Sequence, residues 1–161
     1  MTRLDIGDQS LPQGGWARAP HPRASSPAVP IQTLPQFFER TCDRDPAALA
    51  VECGSVRYGY GELDARANRL AHVLRSRGVT EGDRVGILLD RSIETYVTIL
   101  GVLKAGAAYV PLDPSCPAER LSFIARDASL CDLVTTSAST DRLPPLPFDV
   151  LAIDTAADRL A

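Results

Sequence analysis

Leu103-Lys104-Ala105-Gly106-Ala107-Ala108-Tyr109-Val110-Pro111-Leu112-Asp113-Pro114 holds two elements and the corner that joins them. Lys104 suits the negative end of a helix, and Gly106 can take the left-handed conformation that stops one. From Ala108 the chain is short and apolar with one aromatic, as a buried strand would be. Pro111 and Pro114 keep that strand from running far into a central ladder. The stretch therefore predicts a helix, a stop and a strand.

Upstream, Ser92 is placed to cap the helix, Glu94 favours its positive end, and Ile93, Val97, Leu100 and Leu103 line one side. Val97, Thr98, Ile99 and Val102 are β-branched and lower helix propensity, but the segment is too long for one strand. Before it, Gly82-Asp83 reads as a turn and Arg84 to Leu89 as a strand buried on both faces. Leu63, Ala67, Leu70, Ala71 and Leu74 fall at helical spacing, with Glu62 in the first turn, Arg75 and Arg77 in the last, and Gly78 as the stop. A hairpin precedes that helix: Leu49, Val51 and Cys53 alternate, Gly54-Ser55 turns, and Val56, Tyr58 and Tyr60 alternate again. The first predicted helix starts at Thr33 with Pro35 in its first turn and ends at Asp45-Pro46.

Downstream, Pro117 opens a helix with Leu121, Ile124, Ala125 and Ala128 on its buried face. Strands are expected at Asp132 to Thr136 and Val150 to Ile153. This alternation predicts an α/β layered domain with a mainly parallel sheet flanked by helices. Residues 1–30, rich in Pro, Gly, Ala and Ser, are expected to be a disordered segment or linker with Trp16 left undocked, and 31–161 to hold the folded part.

Composition removes several function classes. With 17 basic and 20 acidic residues the 161-residue chain carries a formal charge of -3, which argues against nucleic acid or an anionic membrane as partner. Cys42, Cys53, Cys116 and Cys131 lack paired C-x-x-C spacing, so they read as reduced thiols of a cytoplasmic protein and not as a zinc site or disulfide framework. No signal peptide and no membrane-spanning run is evident.

The string LKAGAAYVPLDP, with Arg91-Ser92-Ile93-Glu94 before it and Pro117-Ala118-Glu119-Arg120-Leu121 after it, resembles the second conserved block of nonribosomal peptide synthetase adenylation domains. These belong to the adenylate-forming, AMP-dependent synthetase/ligase superfamily. Tyr58-Gly59-Tyr60-Gly61-Glu62-Leu63, leading into Ala67-Asn68-Arg69-Leu70-Ala71, resembles the first block. The resemblance runs from about Ile31 to Asp154. It implies an incomplete N-terminal part of the adenylate-forming fold. For the complete domain it implies ATP and Mg2+, formation of an aminoacyl adenylate, and transfer of the acyl group to a phosphopantetheinyl carrier protein. The remaining part of the synthetase, or a split second chain, is the partner it implies for this segment.

The residues that do such chemistry in the resembled family come from later motifs. A Ser/Thr/Gly-rich loop ending in Pro-Lys-Gly is absent from this sequence, so no catalytic, cofactor-binding or metal residue is assigned, and no cofactor is expected in this fragment. Thr135-Thr136-Ser137-Ala138-Ser139-Thr140 is rich in hydroxyls but has neither glycine for close approach nor lysine for phosphates. It reads as a strand end and helix cap, with Asp141 nearby. Lys104 reads as a neutraliser of a helix end, His21 as a tail residue, His72 as surface or packing, and Asp113 as the holder of a turn. Gly59 stands where the resembled family usually has a hydroxyl residue, and Cys116 where it usually has tyrosine. Both are expected to soften packing, as in a decaying reading frame. Besides the amino-acid-activating ligase, a noncatalytic remnant or interaction module and an acyl-CoA synthetase-like fragment are the alternative readings.

Overall fold

A computed structural model describes residues 33–155. The expected loose segment 1–30, with Trp16 and His21, lies outside the described residues. Helix α1 (Leu34–Arg44) is followed by a hairpin of β1 (Leu49–Cys53) and β2 (Val56–Gly59), then by α2 (Tyr60–Ser76) and β3 (Arg84–Ile87). The rest of the chain forms α3 (Ile93–Ala105), β4 (Ala108–Pro111), α4 (Ala118–Asp127), β5 (Asp132–Thr135), the single turn α5 (Ser137–Thr140) and β6 (Val150–Ala152). Strands β3 to β6 make a four-stranded parallel sheet in the order β4-β3-β5-β6, while β1 and β2 pair antiparallel in a separate sheet.

The corner behaves as its residues dictate. Gly106 ends α3 with φ +91°, and the Gly106 and Ala107 amides close on the Leu103 and Val102 carbonyls. Strand β4 then pairs with β3, but at the sheet's edge and not in its interior. Its residues are mostly exposed, Tyr109 by 40%, which corrects the expectation of a buried strand. An edge is also where Pro111 is tolerated, since its missing amide is owed to no neighbour.

One face of the sheet is covered by α2 and α3. Leu70, Leu74, Val85, Val102 and Val134 are sealed from solvent there. The two helices approach closely because Gly101 offers no side chain; a Cβ on it would stand 2.8 Å from Leu70 Cδ2. The β-branched residues of α3 do not break it. Thr98, fully buried, folds its hydroxyl back to the Glu94 carbonyl at 2.7 Å. The other face is covered by α4, whose Leu121 and Ala125 meet Leu88, Leu112, Leu130 and Leu133.

Three further expectations are corrected. Tyr60 is the first residue of α2 and not the last of the hairpin, because the Tyr60 and Gly61 amides turn back to the Ala48 and Pro46 carbonyls. Gly59 accordingly caps α2 and is no softened strand interior; a Cβ there would lie 3.0 Å from the Pro46 carbonyl oxygen. Glycine suits that close approach, so this position gives no support to decay. Ser92 occupies the N-cap of α3, but its side chain makes no capping bond. At α1, by contrast, Gln36 Oε1 accepts the Thr33 amide at 2.9 Å, as a capping box requires.

Candidate functional site

In this sheet the connection from β3 leads outward to β4, whereas the one from β5 leads to β6 on the other side. The carboxyl ends of β3 and β5 therefore form a topological switch point, where open parallel sheets place ligands. The segments that converge there are 88–91 after β3, 112–116 after β4, and 135–143 after β5.

The polar groups of that rim bind one another. Thr135, fully buried, donates its hydroxyl to the Leu88 carbonyl at 2.8 Å, which ties β5 to the exit of β3. At the N-terminus of α5 the Ser137 amide donates to Asp154 Oδ1 at 2.8 Å, and the Ser137 hydroxyl donates to Asp154 Oδ2 at 2.5 Å. The Ser137 hydroxyl, helped by its amide, holds the Asp154 carboxyl below its ordinary pKa. The hydroxyl run thus already has its anion, and the anion is a carboxylate of the same chain. Strand end and cap were the expected roles, and the acid that joins the cap is Asp154 from beyond β6. On the β4 side, Asp113 Oδ1 accepts the Ser115 amide at 2.8 Å and the Ser115 hydroxyl at 2.7 Å, holding the turn as expected. Those two bonds lower its pKa, the amide first. Between these turns lies a cavity of about 290 Å³, lined by Leu88, Cys116, Leu121, Leu143, Ser139 and Arg142 among others.

Two charged ties lie away from the rim. Arg77 Nε donates to Asp132 Oδ2 at 2.6 Å and its Nη2 to Asp132 Oδ1 at 3.1 Å and to the Asp149 carbonyl at 2.9 Å. Asp132 is 3% exposed, and its hydrogen bond raises the Arg77 pKa further. Lys104, with 6% of its side chain exposed, bonds Glu39 of α1 and lies 3.0 Å from Asp64 Oδ1 of α2. Burial pulls its pKa down, but the bonds to Glu39 and Asp64 outweigh burial and the net shift is upward. This corrects the reading of Lys104 as the neutraliser of its own helix end. That end is served by Arg75, whose Nη2 donates to the Lys104 carbonyl. Arg75 and Arg77, read as dipole partners of α2, are both spent on other elements. His72 is exposed, as expected.

Among the described residues no group of three or more His, Cys, Asp and Glu side chains is arranged to hold a metal, and no helix is long and apolar enough to cross a membrane. All four cysteines are free thiols, with Cys42 buried and its pKa raised, first by burial and then by Asp64. The terminus of α5 at this rim is filled by Asp154, and segments 88–91, 112–116 and 135–143 contain neither lysine nor glycine.

Residues 38–158 match the model of the AMP-binding enzyme family. The chain belongs to that family. It is 44% identical over 138 residues to a linear gramicidin synthase protein of Brevibacillus parabrevis, a match that covers 85% of this chain and 2% of that protein. Among solved structures it superposes on the nonribosomal peptide synthetase FmoA3 bound to α-methyl-L-serine-AMP with a TM-score of 0.75 and 35% identity, over 81% of this chain and 15% of the other. The same FmoA3 has been solved with AMPPNP bound. The N-terminal subdomain of Klebsiella oxytoca NpsA gives a TM-score of 0.73 and 25% identity, over 81% of this chain and 34% of that one. The chain thus corresponds to an N-terminal part of a nonribosomal peptide synthetase adenylation domain, and spans only 2% of the curated relative's length. These relatives are peptide synthetases, in keeping with the blocks quoted from the sequence.

Proposed function

We propose that the chain is the front of an amino-acid-activating unit, where it works as scaffold and supplies no catalytic, cofactor-binding or metal residue. In that unit ATP and Mg2+ convert an amino-acid carboxylate to an aminoacyl adenylate, and a carrier-protein thiol receives the acyl group. Residues beyond this segment would hold the nucleotide. The observation that carries this reading is the state of the rim, where Thr135, Ser137, Asp154, Asp113 and Ser115 are all committed to bonds within the segment. Free thiols suit a reducing compartment, and we place the unit in the cytoplasm.

The test is amino-acid-dependent ATP–pyrophosphate exchange by residues 1–161 alone and by a chimera that joins them to the downstream adenylation segment of the Brevibacillus parabrevis linear gramicidin synthase. The expected result is no exchange alone and exchange in the chimera, with Asp113→Asn changing kcat less than about threefold. Exchange by the isolated chain, or a large kcat loss on that substitution, overturns the scaffold reading. A second reading, a noncatalytic interaction module, is favoured by one observation: Leu34, Phe37, Leu49, Val56 and Tyr96 are about half exposed on the α1, hairpin and α3 side. A folded chimera without exchange would move the balance to it.

A further inference from the structure

We infer that α1 is a separately opening strap, held shut by Glu39 on Lys104 and able to lift without disturbing the layer beneath it. Its packing is thin. Of its eleven residues only Cys42 is buried, whereas α2 buries five and α3 seven. Leu34 and Phe37 are 60% and 57% exposed. What attaches α1 includes the Phe38 ring, 5.7 Å from that of Tyr60, the Cys42 thiol on the Tyr60 carbonyl at 3.6 Å, and the Glu39–Lys104 ion pair.

The charges are arranged so that opening costs little. An ammonium buried as deeply as Lys104 cannot be left without a counter-charge, and removing a sole partner would penalise any motion strongly. Here Asp64, on α2, lies 3.0 Å from Lys104 Nζ and stays behind when α1 leaves. Asp64 is itself positioned by Asn68, whose Nδ2 donates to Oδ2 at 2.8 Å. Glu39 has 48% of its side chain in solvent and rehydrates readily. The lysine is therefore paired in both states, and Glu39 contributes only the margin between them. Beneath the strap runs an apolar cleft of about 520 Å³, with Leu34 and Phe38 of α1 as one wall and Leu63, Tyr96 and Leu100 as another. Lifting α1 widens that cleft and withdraws the partly buried Phe38, but leaves the α2–α3 interface intact, because the buried residues of that core belong to those two helices, the sheet and the connecting segments, and none to α1.

Native-state hydrogen exchange on the full 161-residue chain tests this. Amides of α1 are expected to exchange roughly a hundredfold faster than those of Leu70, Leu74 and Val102, with rates flat at low denaturant, the mark of local opening. Glu39→Gln should speed α1 exchange about fivefold and leave α2 and α3 unchanged. Glu62→Gln, which removes an exposed pair with Arg66 inside α2, should leave α1 unchanged. The strap is overturned if α1 amides follow the global unfolding of the core. The role of Glu39 is overturned if Glu39→Gln leaves α1 exchange unaltered or speeds every helix alike, or if Glu62→Gln opens α1 equally well.

Discussion

The sheet face beneath α2 and α3 and the face beneath α4 are built from the same alternating strands, yet they are filled differently. The first buries two helices against Val85 and Val134, with Gly101 drawing the helices together and the Lys104 and Arg77 ion pairs fastening its borders. The second has one helix, six buried apolar residues and the cavity beside Cys116. Glycine plays a different part on each. At Gly101 it admits a helix, while at Gly86 it lets Leu130 and Leu133 close over the sheet, a Cβ there meeting Leu133 Cδ1 at 2.7 Å. The lesson is that a strand pattern guarantees two apolar faces but not two equally thick layers.

The contrast can be broken most severely from the thick side. Leu70→Ala, at a fully buried position between α2 and α3, should cost about 3–5 kcal/mol in denaturant unfolding. A loss below about 1.5 kcal/mol would mean that this interface relaxes more freely than its packing implies. Next comes Arg77→Met, which strands the buried Asp132 carboxylate and should cost about 3 kcal/mol. Adding Asp132→Leu should recover much of that loss; a double variant as weak as the single one would show that the pair does more than neutralise itself.

On the thin side the expected sign reverses. Cys116→Tyr should fill part of the neighbouring cavity and raise the unfolding free energy by about 1 kcal/mol. Destabilisation there would indicate that the lining has already closed around the smaller side chain. The smallest effect concerns pH. The Asp154 pKa lies below its ordinary 3.8 in the folded chain, so its bond to Ser137 contributes fully above that value and is lost as pH falls through the lower, folded pKa. Asp154→Asn should therefore lower stability slightly at neutral pH and flatten the acid limb of a stability–pH curve. An unchanged acid limb would discount the cap.

Much of this organisation was legible one element at a time. Gly106 announced the end of α3, Leu63 to Leu74 the buried stripe of α2, and Asp113 its own turn, because each signal lies within a few residues of its effect. The candidate rim was legible only by subtraction, as hydroxyls without glycine or lysine. Its actual closure, Ser137 with Asp154, spans 17 positions and no local rule reaches across them. One missed tie did leave a trace. Asp132 opens a strand whose residues are all buried, and a charge there demands a partner, although nothing nearby says that it is Arg77, 55 residues upstream.

By itself the sequence determined the periodicities and the stops, hence an α/β layer, since those depend on local backbone preference and on which residues avoid water; its adenylate-forming kind came from the resemblance of two sequence blocks. Only the tertiary structure decided that β4 lies at an edge, that Gly59 fits a close approach, and that Lys104 serves Glu39 and Asp64 and not its own helix end. The physical reason is common to all three. Each depends on what a residue meets from a distant part of the chain, and burial and charge pairing are settled there.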